Sequence, residues 1–290
     1  MNFLKLGTMT AVLLSFLLQA APAVEKKSAA VPPQKAVAPQ PAQKAQTHKD
    51  KLSDPNPVVR RNAIIYIGYE KKKENVPALV KMLADENVEV RQAAVNALAV
   101  TGDAGALNPL MSRFKVENDP GVKLNIIVAL GDLKNKAALP FLISLVKDPY
   151  PAFRTEVVRS LGKMNAPEAY DAVIQLLADE ADGVKIMAAQ VSGELKLAKA
   201  VPFLVKNLDI PIDAVKKSCA EALGNIGDSA TVSALEKLLT EKNEAIVSTV
   251  KEAIEKIQAL NKAKSEEQKD QTEQPGKNDA TQPAAPAPAE

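Results

Sequence analysis

The residues that most often carry chemistry in proteins are scarce in this chain of 290 residues. It contains one cysteine, Cys219, one histidine, His48, and no tryptophan. A cysteine nucleophile needs a nearby base, and a structural zinc site needs about four thiolate or imidazole ligands, so neither chemistry can be built from this pair. Glycine-rich phosphate loops and Ser-His-Asp sets are also missing from the sequence. We therefore predict no catalytic, cofactor-binding or metal-binding residues.

Charge and aromatic content bear on the class of partner. Lys and Arg number 37 against 35 Asp and Glu, which gives a net charge of +2, and aromatic residues make up 3% of the chain. A nucleic-acid-binding protein would carry a basic excess, and a single-strand binder would need aromatic stacking platforms. We therefore expect another protein, and no nucleic acid, as the partner.

Basic residues nevertheless recur at a nearly fixed interval, each directly after an apolar residue. The intervals are 31, 32, 31, 31 and 31 residues, and a degenerate seventh copy follows at Ile246-Val247. The pairs are Val59-Arg60, Val90-Arg91, Val122-Lys123, Phe153-Arg154, Val184-Lys185 and Val215-Lys216. Such a period is typical of stacked helical hairpins. A one-sided basic column of this kind could receive an anionic partner, which is one hypothesis for it.

Each copy predicts two helices. Counted from the apolar residue of the pair, offsets 0, 4 and 8 are apolar and lie on one face of a first helix. Offset 9 is glycine in five copies, interpreted as helix C-caps because glycine adopts the left-handed conformation without steric cost. These glycines are Gly68, Gly131, Gly162, Gly193 and Gly224. Proline then opens a second helix at Pro77, Pro109, Pro140 and Pro202.

The second helix has an apolar face of its own. Two residues after the proline position, this face is predicted to begin with Leu79, Met111, Leu142, Val173, Leu204 and Leu235. A single hairpin cannot bury both apolar faces, so only stacking against neighbouring hairpins stabilises it. The sequence therefore predicts an all-α, right-handed solenoid of about six and a half hairpins with a period of 31 residues.

The two ends of the chain differ from the repeats. Lys5, the apolar stretch 6–18 and the small residues of 21–23 predict a cleaved secretory signal over residues 1–23, with an uncleaved anchor as the alternative. Residues 24–50 are predicted to be a disordered Pro/Ala-rich spacer, which includes His48, and residues 263–290 a disordered tail. Residues 51–262 remain for the solenoid. We expect an exported protein, periplasmic or secreted, without stable membrane insertion after cleavage.

The repeat columns resemble the short HEAT-like repeat, also called the phycobilisome-lyase HEAT-like repeat, as found in exported bacterial proteins. The shared pattern is Asp before a turn, Val-Arg, an Ala-rich first helix, Leu-Gly, Pro-x-Leu and a closing Leu-x-Asp. It is clearest in residues 85–114, 148–177 and 179–209, and it covers about residues 52–260. The resemblance implies a solenoid that binds other proteins. For the bilin-attaching members that gave the repeat its name, it also implies a lyase activity, which export argues against here.

Two sets of residues follow from this resemblance. In HEAT-like arrays the basic column pairs with acids along the turns, which favours a structural ladder over a site for an anionic partner. The ladder residues are Asp54, Arg60, Asp85, Arg91, Asp148, Arg154, Asp179 and Lys185. The second helices of such arrays line the concave side, where interleaved Phe/Leu and Lys/Arg suit a peptide or helix. The candidate partner-binding residues are Lys81, Leu110, Arg113, Phe141, Gln175, Phe203, Lys206 and Lys237.

We predict a non-enzymatic scaffold or adaptor in the cell envelope that binds a partner on these second helices. An alternative for the surface itself is that Phe141 and Phe203 pack between repeats and the lysines are only solvated. Two alternative functions stay open: a bilin-lyase-like subunit that handles a tetrapyrrole, and an envelope spacer whose tails contact the wall. At the ends of the array, Tyr66 and Tyr69 are predicted to close the amino end, and the charged seventh copy to cap the other.

Overall fold

The computed structural model describes residues 47–272, with side chains as far as residue 266. These residues form thirteen α-helices and no strand, which confirms the all-α solenoid. The first helices of six copies are α1 (Pro57–Tyr69), α3 (Val88–Thr101), α5 (Pro120–Asp132), α7 (Pro151–Met164), α9 (Asp182–Glu194) and α11 (Asp213–Ile226). The second helices are α2 (Val76–Met82), α4 (Leu107–Val116), α6 (Leu139–Ser144), α8 (Tyr170–Gln175), α10 (Val201–Asn207) and α12 (Val232–Glu236). A seventh first helix, α13 (Glu244–Thr272), ends the array.

Local sequence explains where the first helices begin. Asn56, Asn87 and Asp119 precede α1, α3 and α5, and their side chains accept hydrogen bonds from backbone N–H groups of the first turn. These contacts satisfy donors that would otherwise have no partner at a helix start. Proline occupies the first position of α1, α5 and α7, where a missing N–H costs nothing.

The glycines at offset 9 lie inside the first helices, so their interpretation as C-caps is wrong. A Cβ atom on Gly131 would lie 2.6 Å from the Cβ of Ser160, and one on Gly193 would lie 2.7 Å from the Cα of Ala222. Glycine is required at these positions because the first helix of the next copy passes too close for any side chain.

The left-handed residue comes three positions later, at offset 12. It has a positive φ in all six copies, at Lys71, Gly102, Lys134, Asn165, Lys196 and Gly227. Four of the six are not glycine, although a left-handed conformation costs other residues about 1–2 kcal/mol. Because the position recurs in every copy, it gives a better reference for the second helices than the prolines do.

Counting from the left-handed residue changes the register of the second copy. The eighth residue after it is fully buried in every copy: Leu79, Leu110, Leu142, Val173, Leu204 and Leu235. Leu110, rather than Met111, therefore begins the buried face of α4, and Pro109 stands one place later than the other prolines. One interval between the repeated pairs, from Val90 to Val122, is 32 residues long instead of 31. Its extra residue lies after Leu110, in the part of α4 that continues to Val116.

The buried side chains of all copies form one continuous core. Offset 4 of the first helices is at most 2% exposed in every copy: Ala63, Ala94, Ile126, Val157, Ala188, Cys219 and Val250. Each large apolar side chain buried in this way contributes about 1.5–3 kcal/mol. Asn207, a polar residue in the buried face of α10, is satisfied by donating from its amide to the Leu177 carbonyl of the preceding copy at 2.7 Å.

The ends of the array extend further than the sequence predicts. His48 stacks on Tyr66 with ring centroids 4.6 Å apart, so its assignment to a disordered spacer is wrong, and Leu52 is buried beside α1. At the other end α13 continues past residue 262 to Thr272. The predicted signal, most of the spacer and the last part of the tail lie outside the described residues. Within residues 47–272, none of the helices is both long and apolar enough to cross a membrane.

Candidate partner-binding surface

The basic column of the first helices joins successive loops between copies. The Arg60 guanidinium donates two hydrogen bonds to the Asp85 carboxylate, both 2.8 Å, and a third to the backbone carbonyl of Asp54, 2.8 Å. Asp54 thus contributes its carbonyl, and the carboxylate comes from the loop that leads to the next copy. Such bidentate contacts fix the geometry of both partners.

The same arrangement recurs in two further copies. Arg154 binds the Asp179 carboxylate at 2.7 and 2.8 Å and the Asp148 carbonyl at 2.7 Å. Arg91 binds the Glu117 carboxylate at 2.9 and 3.0 Å and the Asp85 carbonyl at 2.9 Å. Glu117 takes the place of the aspartate because the longer α4 moves the acceptor position by one residue.

Two members of the basic column depart from this arrangement. Lys185 pairs with Asp182 at 2.8 Å. The Asp179 carboxylate is bound by Arg154, and the acceptor position 25 residues beyond Lys185 holds Ile210. Lys123 instead places its ammonium 5.1 Å from the centroid of the Phe114 ring. Lys216, which was not among the predicted ladder residues, contacts Glu241.

Glu117 is the most buried carboxylate of the ladder, at 2% exposure. Its oxygens accept hydrogen bonds from Arg91, from Arg113 and from the backbone N–H groups of Asn118 and Asp119. Burial alone would raise the pKa of Glu117, but the bonds from Arg91, the backbone of Asp119 and Arg113 together lower it to about 2. The group is therefore a structural anion held by two guanidinium groups.

Two of the predicted partner-binding residues are not on the surface of the second helices. Leu110 is 0% exposed, and Arg113 is half-buried with its guanidinium 2.7 Å from Glu117. The assignments of Leu110 and Arg113 are wrong because of the one-residue shift in α4. Ser112, rather than Arg113, occupies the position at which the other copies expose a polar side chain. The tenth residue after the left-handed position is exposed in all six copies: Lys81, Ser112, Ser144, Gln175, Lys206 and Lys237. Five of them lie in second helices, and Lys237 directly follows α12. We call these six residues the second-helix face.

Aromatic residues beside the second-helix face differ in exposure. Phe141 is half-buried and meets the edge of Phe114 at a centroid distance of 5.4 Å. Phe203 remains 42% exposed, one helical turn from Lys206. Within residues 47–266, the lysines of this face make no ion pair, whereas Arg60, Arg91, Arg154, Lys185 and Lys216 all do.

A second surface, which the sequence did not predict, is formed by the outer sides of α1 and α3. Large apolar side chains are exposed there, with Tyr69 the most exposed at 75%; the others are Val58, Ile65 and Val100. Tyr66 is also exposed, but it lies on the side of α1 where it stacks on His48. An open groove of about 460 Å³ between the two helices has a mixed lining. Its apolar residues include Ile65, Tyr69 and Val100, and its polar residues are Gln92, Asn96 and the paired Arg61 and Glu89. We call this surface the amino-end patch. The sequence does contain an indication of this patch, because offsets 6 and 10 are apolar in the first copy but mostly polar in later ones.

The single thiol does not form part of either surface. Cys219 is fully buried, and burial raises the pKa of its thiol to about 12. A thiol with so high a pKa is not a nucleophile at neutral pH. In the part of the chain that the structure describes, no three His, Cys, Asp or Glu side chains come together as ligands for a metal ion.

The fold and its ladder define an α-solenoid of short helical hairpins. The chain belongs to the HEAT-repeat family, which it matches over three overlapping stretches, residues 47–130, 109–191 and 171–255. This match confirms the resemblance that the repeat columns indicate. No curated protein sequence matches the chain at a significant level.

Several solved structures are similar to this chain. The complex of CpcE and CpcF of phycocyanin lyase from Nostoc sp. PCC7120 is 22% identical, with a TM-score of 0.46 over 81% of this chain and 100% of that one. Human deoxyhypusine hydroxylase in complex with glycerol is 20% identical, with a TM-score of 0.39 over 73% and 83%. An engineered protein is 19% identical, with a TM-score of 0.49 over 73% and 67%. At these identities the similarity is one of fold.

Proposed function

We propose that this HEAT-repeat protein is a non-enzymatic adaptor that holds a partner protein on its second-helix face. The observation that carries the proposal is the contrast between two basic columns. The ladder arginines are each bound by a carboxylate and by backbone carbonyls. Lys81, Lys206 and Lys237 are exposed, and among the described residues they have no acidic partner.

The chemistry of this face defines the kind of partner. Its lysines favour an acidic segment, Ser112, Ser144 and Gln175 offer hydrogen bonds along the middle of the array, and Phe203 offers an apolar anchor. Side chains of this face recur once per copy, so the surface suits an elongated segment that contacts several copies in turn. Charged side chains at such a surface contribute mainly to association rate and specificity, and a partly exposed aromatic residue contributes to affinity.

We also propose that the protein acts outside the cytoplasm, in the periplasm or as a secreted protein. The support is the signal-like composition of residues 1–23, in which a basic residue, an apolar stretch and small residues follow each other. Amino-terminal sequencing of the protein purified from its native source tests this: a mature chain that begins near residue 24 is expected, and a retained Met1 in the cytoplasmic fraction contradicts it. The tetrapyrrole-handling and wall-spacer alternatives stay predictions.

The partner-binding proposal is tested by charge reversal on the second-helix face. The triple variant Lys81→Glu, Lys206→Glu and Lys237→Glu is compared with a control of equal charge change, Lys134→Glu, Lys196→Glu and Lys251→Glu, whose positions are exposed and lie outside the second helices. Quantitative affinity capture from a native extract is the measurement, with circular dichroism to verify folding. We expect at least a tenfold loss of the captured partner for the first variant only.

A photo-crosslinking amino acid at position 206 adds an independent measurement. It should attach to the same partner that the capture experiment retains, whereas the same probe at position 251 should not. Equal capture by both triple variants, or equal crosslinking at both positions, would reject the second-helix face as the binding surface.

A further inference from the structure

The amino-end patch combines an apolar stripe with a groove of mixed lining, in which Ile65, Tyr69 and Val100 lie beside Gln92, Asn96 and the Arg61–Glu89 ion pair. Val58, Ile65 and Tyr69 form an exposed stripe along the outer side of α1, and the groove lies directly beside this stripe, between α1 and α3. Comparable positions later in the array are polar and form ion pairs between neighbouring copies. Lys163 of α7, for example, binds Asp132 of α5 at 2.6 Å. The patch is therefore specific to the first two copies.

Charges divide this surface into two edges. Arg61 pairs with Glu89 near the beginnings of α1 and α3, and Gly68 contacts Ala97 near their ends, so the two helices run side by side in the same direction. Glu86 and Glu89 lie at the edge where the helices begin, and the Glu86 side chain is 89% exposed. At the opposite edge, directly after α1, stand three exposed lysines, Lys71, Lys72 and Lys73. Both edges contain some opposite charge. At the lysine edge Glu70 and Asp103 contact Lys72 and Lys73 at 3.8 and 3.7 Å, and at the acidic edge Arg60 lies 3.7 Å from Glu86.

We propose that two copies of this chain associate through their amino-end patches, antiparallel across a two-fold axis. A two-fold interface uses the same patch on both copies and must therefore be self-complementary. In this arrangement the stripe of each copy enters the groove of the other. The lysine edge of each copy also faces the acidic edge of the other, so both apolar and charged features find a partner.

The opposite end of the array argues against head-to-tail association. The outer side of α13 exposes Glu252, Glu255 and Lys256, which is typical of a capping repeat. Contact between this side of α13 and the amino-end patch would place Ile65 and Tyr69 against these charges. Pairing two amino ends instead covers apolar surface with apolar surface, which is the arrangement that lowers the free energy.

The size of the patch predicts weak association. A helix of 13 residues is roughly 20 Å long and about 10 Å wide, so α1 and α3 side by side present a surface of roughly 20 by 20 Å. This is smaller than the ~800 Å² per partner of a typical stable interface. We therefore expect a dimer that forms at micromolar concentrations and dissociates on dilution.

Sedimentation equilibrium of the full chain over a range of concentrations tests the proposal. Tyr69→Glu introduces a charge into the most exposed apolar residue of the patch and should raise the dimer dissociation constant at least tenfold. Val116→Glu, at an exposed apolar residue of α4 outside the patch, is the matched control and should leave it unchanged. A chain that is monomeric at every concentration, or one whose association is insensitive to Tyr69→Glu, would overturn the proposal.

Charge exchange tests the antiparallel orientation. Lys72→Glu alone and Glu86→Lys alone should each weaken the dimer, because each places like charges opposite one another. The double variant restores opposite charges across the two-fold axis and should regain the affinity of the original chain. Failure of the double variant to recover association would reject this orientation, and circular dichroism of each variant establishes that it is folded.

Discussion

At the scale of single residues, Glu117 shows how the ladder stabilises a buried charge. Its carboxylate is buried, yet it accepts hydrogen bonds from two guanidinium groups and two backbone amides. Removing one partner of a buried ion pair leaves an uncompensated charge, which is more costly than losing an exposed pair. Exposed pairs such as Lys136–Glu168 should contribute far less.

The stability of the protein should depend on pH through Glu117. Its pKa of about 2 in the folded state lies below the ordinary value of 4.5, so the stabilisation is complete above about pH 5 and is lost progressively as the pH falls towards about 2. Glu117→Gln should lower the free energy of unfolding by about 3 kcal/mol at neutral pH. It should also flatten the fall of Tm between about pH 6 and pH 3.

Thermal melts across this pH range are the measurement for Glu117. Glu86→Gln is the control, since the Glu86 side chain is 89% exposed and its distance from Arg60 is 3.7 Å. Parallel Tm profiles for the original chain and Glu117→Gln would contradict the assignment, because the pH dependence would then arise elsewhere.

At the scale of helices, the glycines at offset 9 set how closely neighbouring copies approach. Gly193→Ala in α9 should lower the free energy of unfolding by about 1–3 kcal/mol, because its Cβ would lie 2.7 Å from the backbone of Ala222. Gly183→Ala in the same helix meets nothing within 4 Å and should stabilise the protein by about 0.5–1 kcal/mol. Urea denaturation of both variants measures the difference, and equal effects would show that the close approach is not what requires glycine.

The helices also show which parts of the fold the sequence could predict. The buried stripe at offset 4 was predictable because seven copies repeat it, from Ala63 to Val250. The role of the offset-9 glycines was not, because a C-cap and a close-contact glycine would both follow the apolar stripe at offsets 0, 4 and 8. Only the small residues at offset 7, such as Ser160 and Ala222, indicated that another helix passes there.

The prediction of the partner-binding residues was wrong in the second copy for a related reason. Leu110 and Met111 are both apolar and Pro109 is acceptable in either register, so composition alone could not choose between them. Burial decides, because only Leu110 fits the fully buried column. The exposure of Lys81, Gln175 and Lys206 was predictable, since the registers of those copies are unambiguous.

At the scale of the whole molecule, stability is shared between copies. The core is continuous from Leu52 to Ile257, and each first helix packs against the next, so no hairpin has a core of its own. In such arrays the free energy of unfolding is approximately a sum of copy and interface contributions. A weakened interface should therefore divide one cooperative transition into two.

Two natural probes report on opposite halves of the array. Tyr66, Tyr69, Tyr150 and Tyr170 all precede α9, and Cys219 lies in α11, where burial protects its thiol. In the original chain, loss of native tyrosine fluorescence and reaction of Cys219 with a thiol reagent should occur at the same denaturant concentration. Gly193→Ala, which weakens the contact between α9 and α11, should make Cys219 react at a lower concentration than the tyrosine transition.

Gly68→Ala should reverse that order. Its Cβ would lie 2.8 Å from Ala97, so it weakens the contact between α1 and α3, and the tyrosines of α1 should respond before Cys219 does. If Gly193→Ala and Gly68→Ala change the order of the tyrosine and Cys219 transitions in opposite directions, the interfaces between copies are the source of cooperative unfolding. Coincident transitions in all three proteins would instead show that the ladder and core couple the copies too strongly for any single interface to separate them.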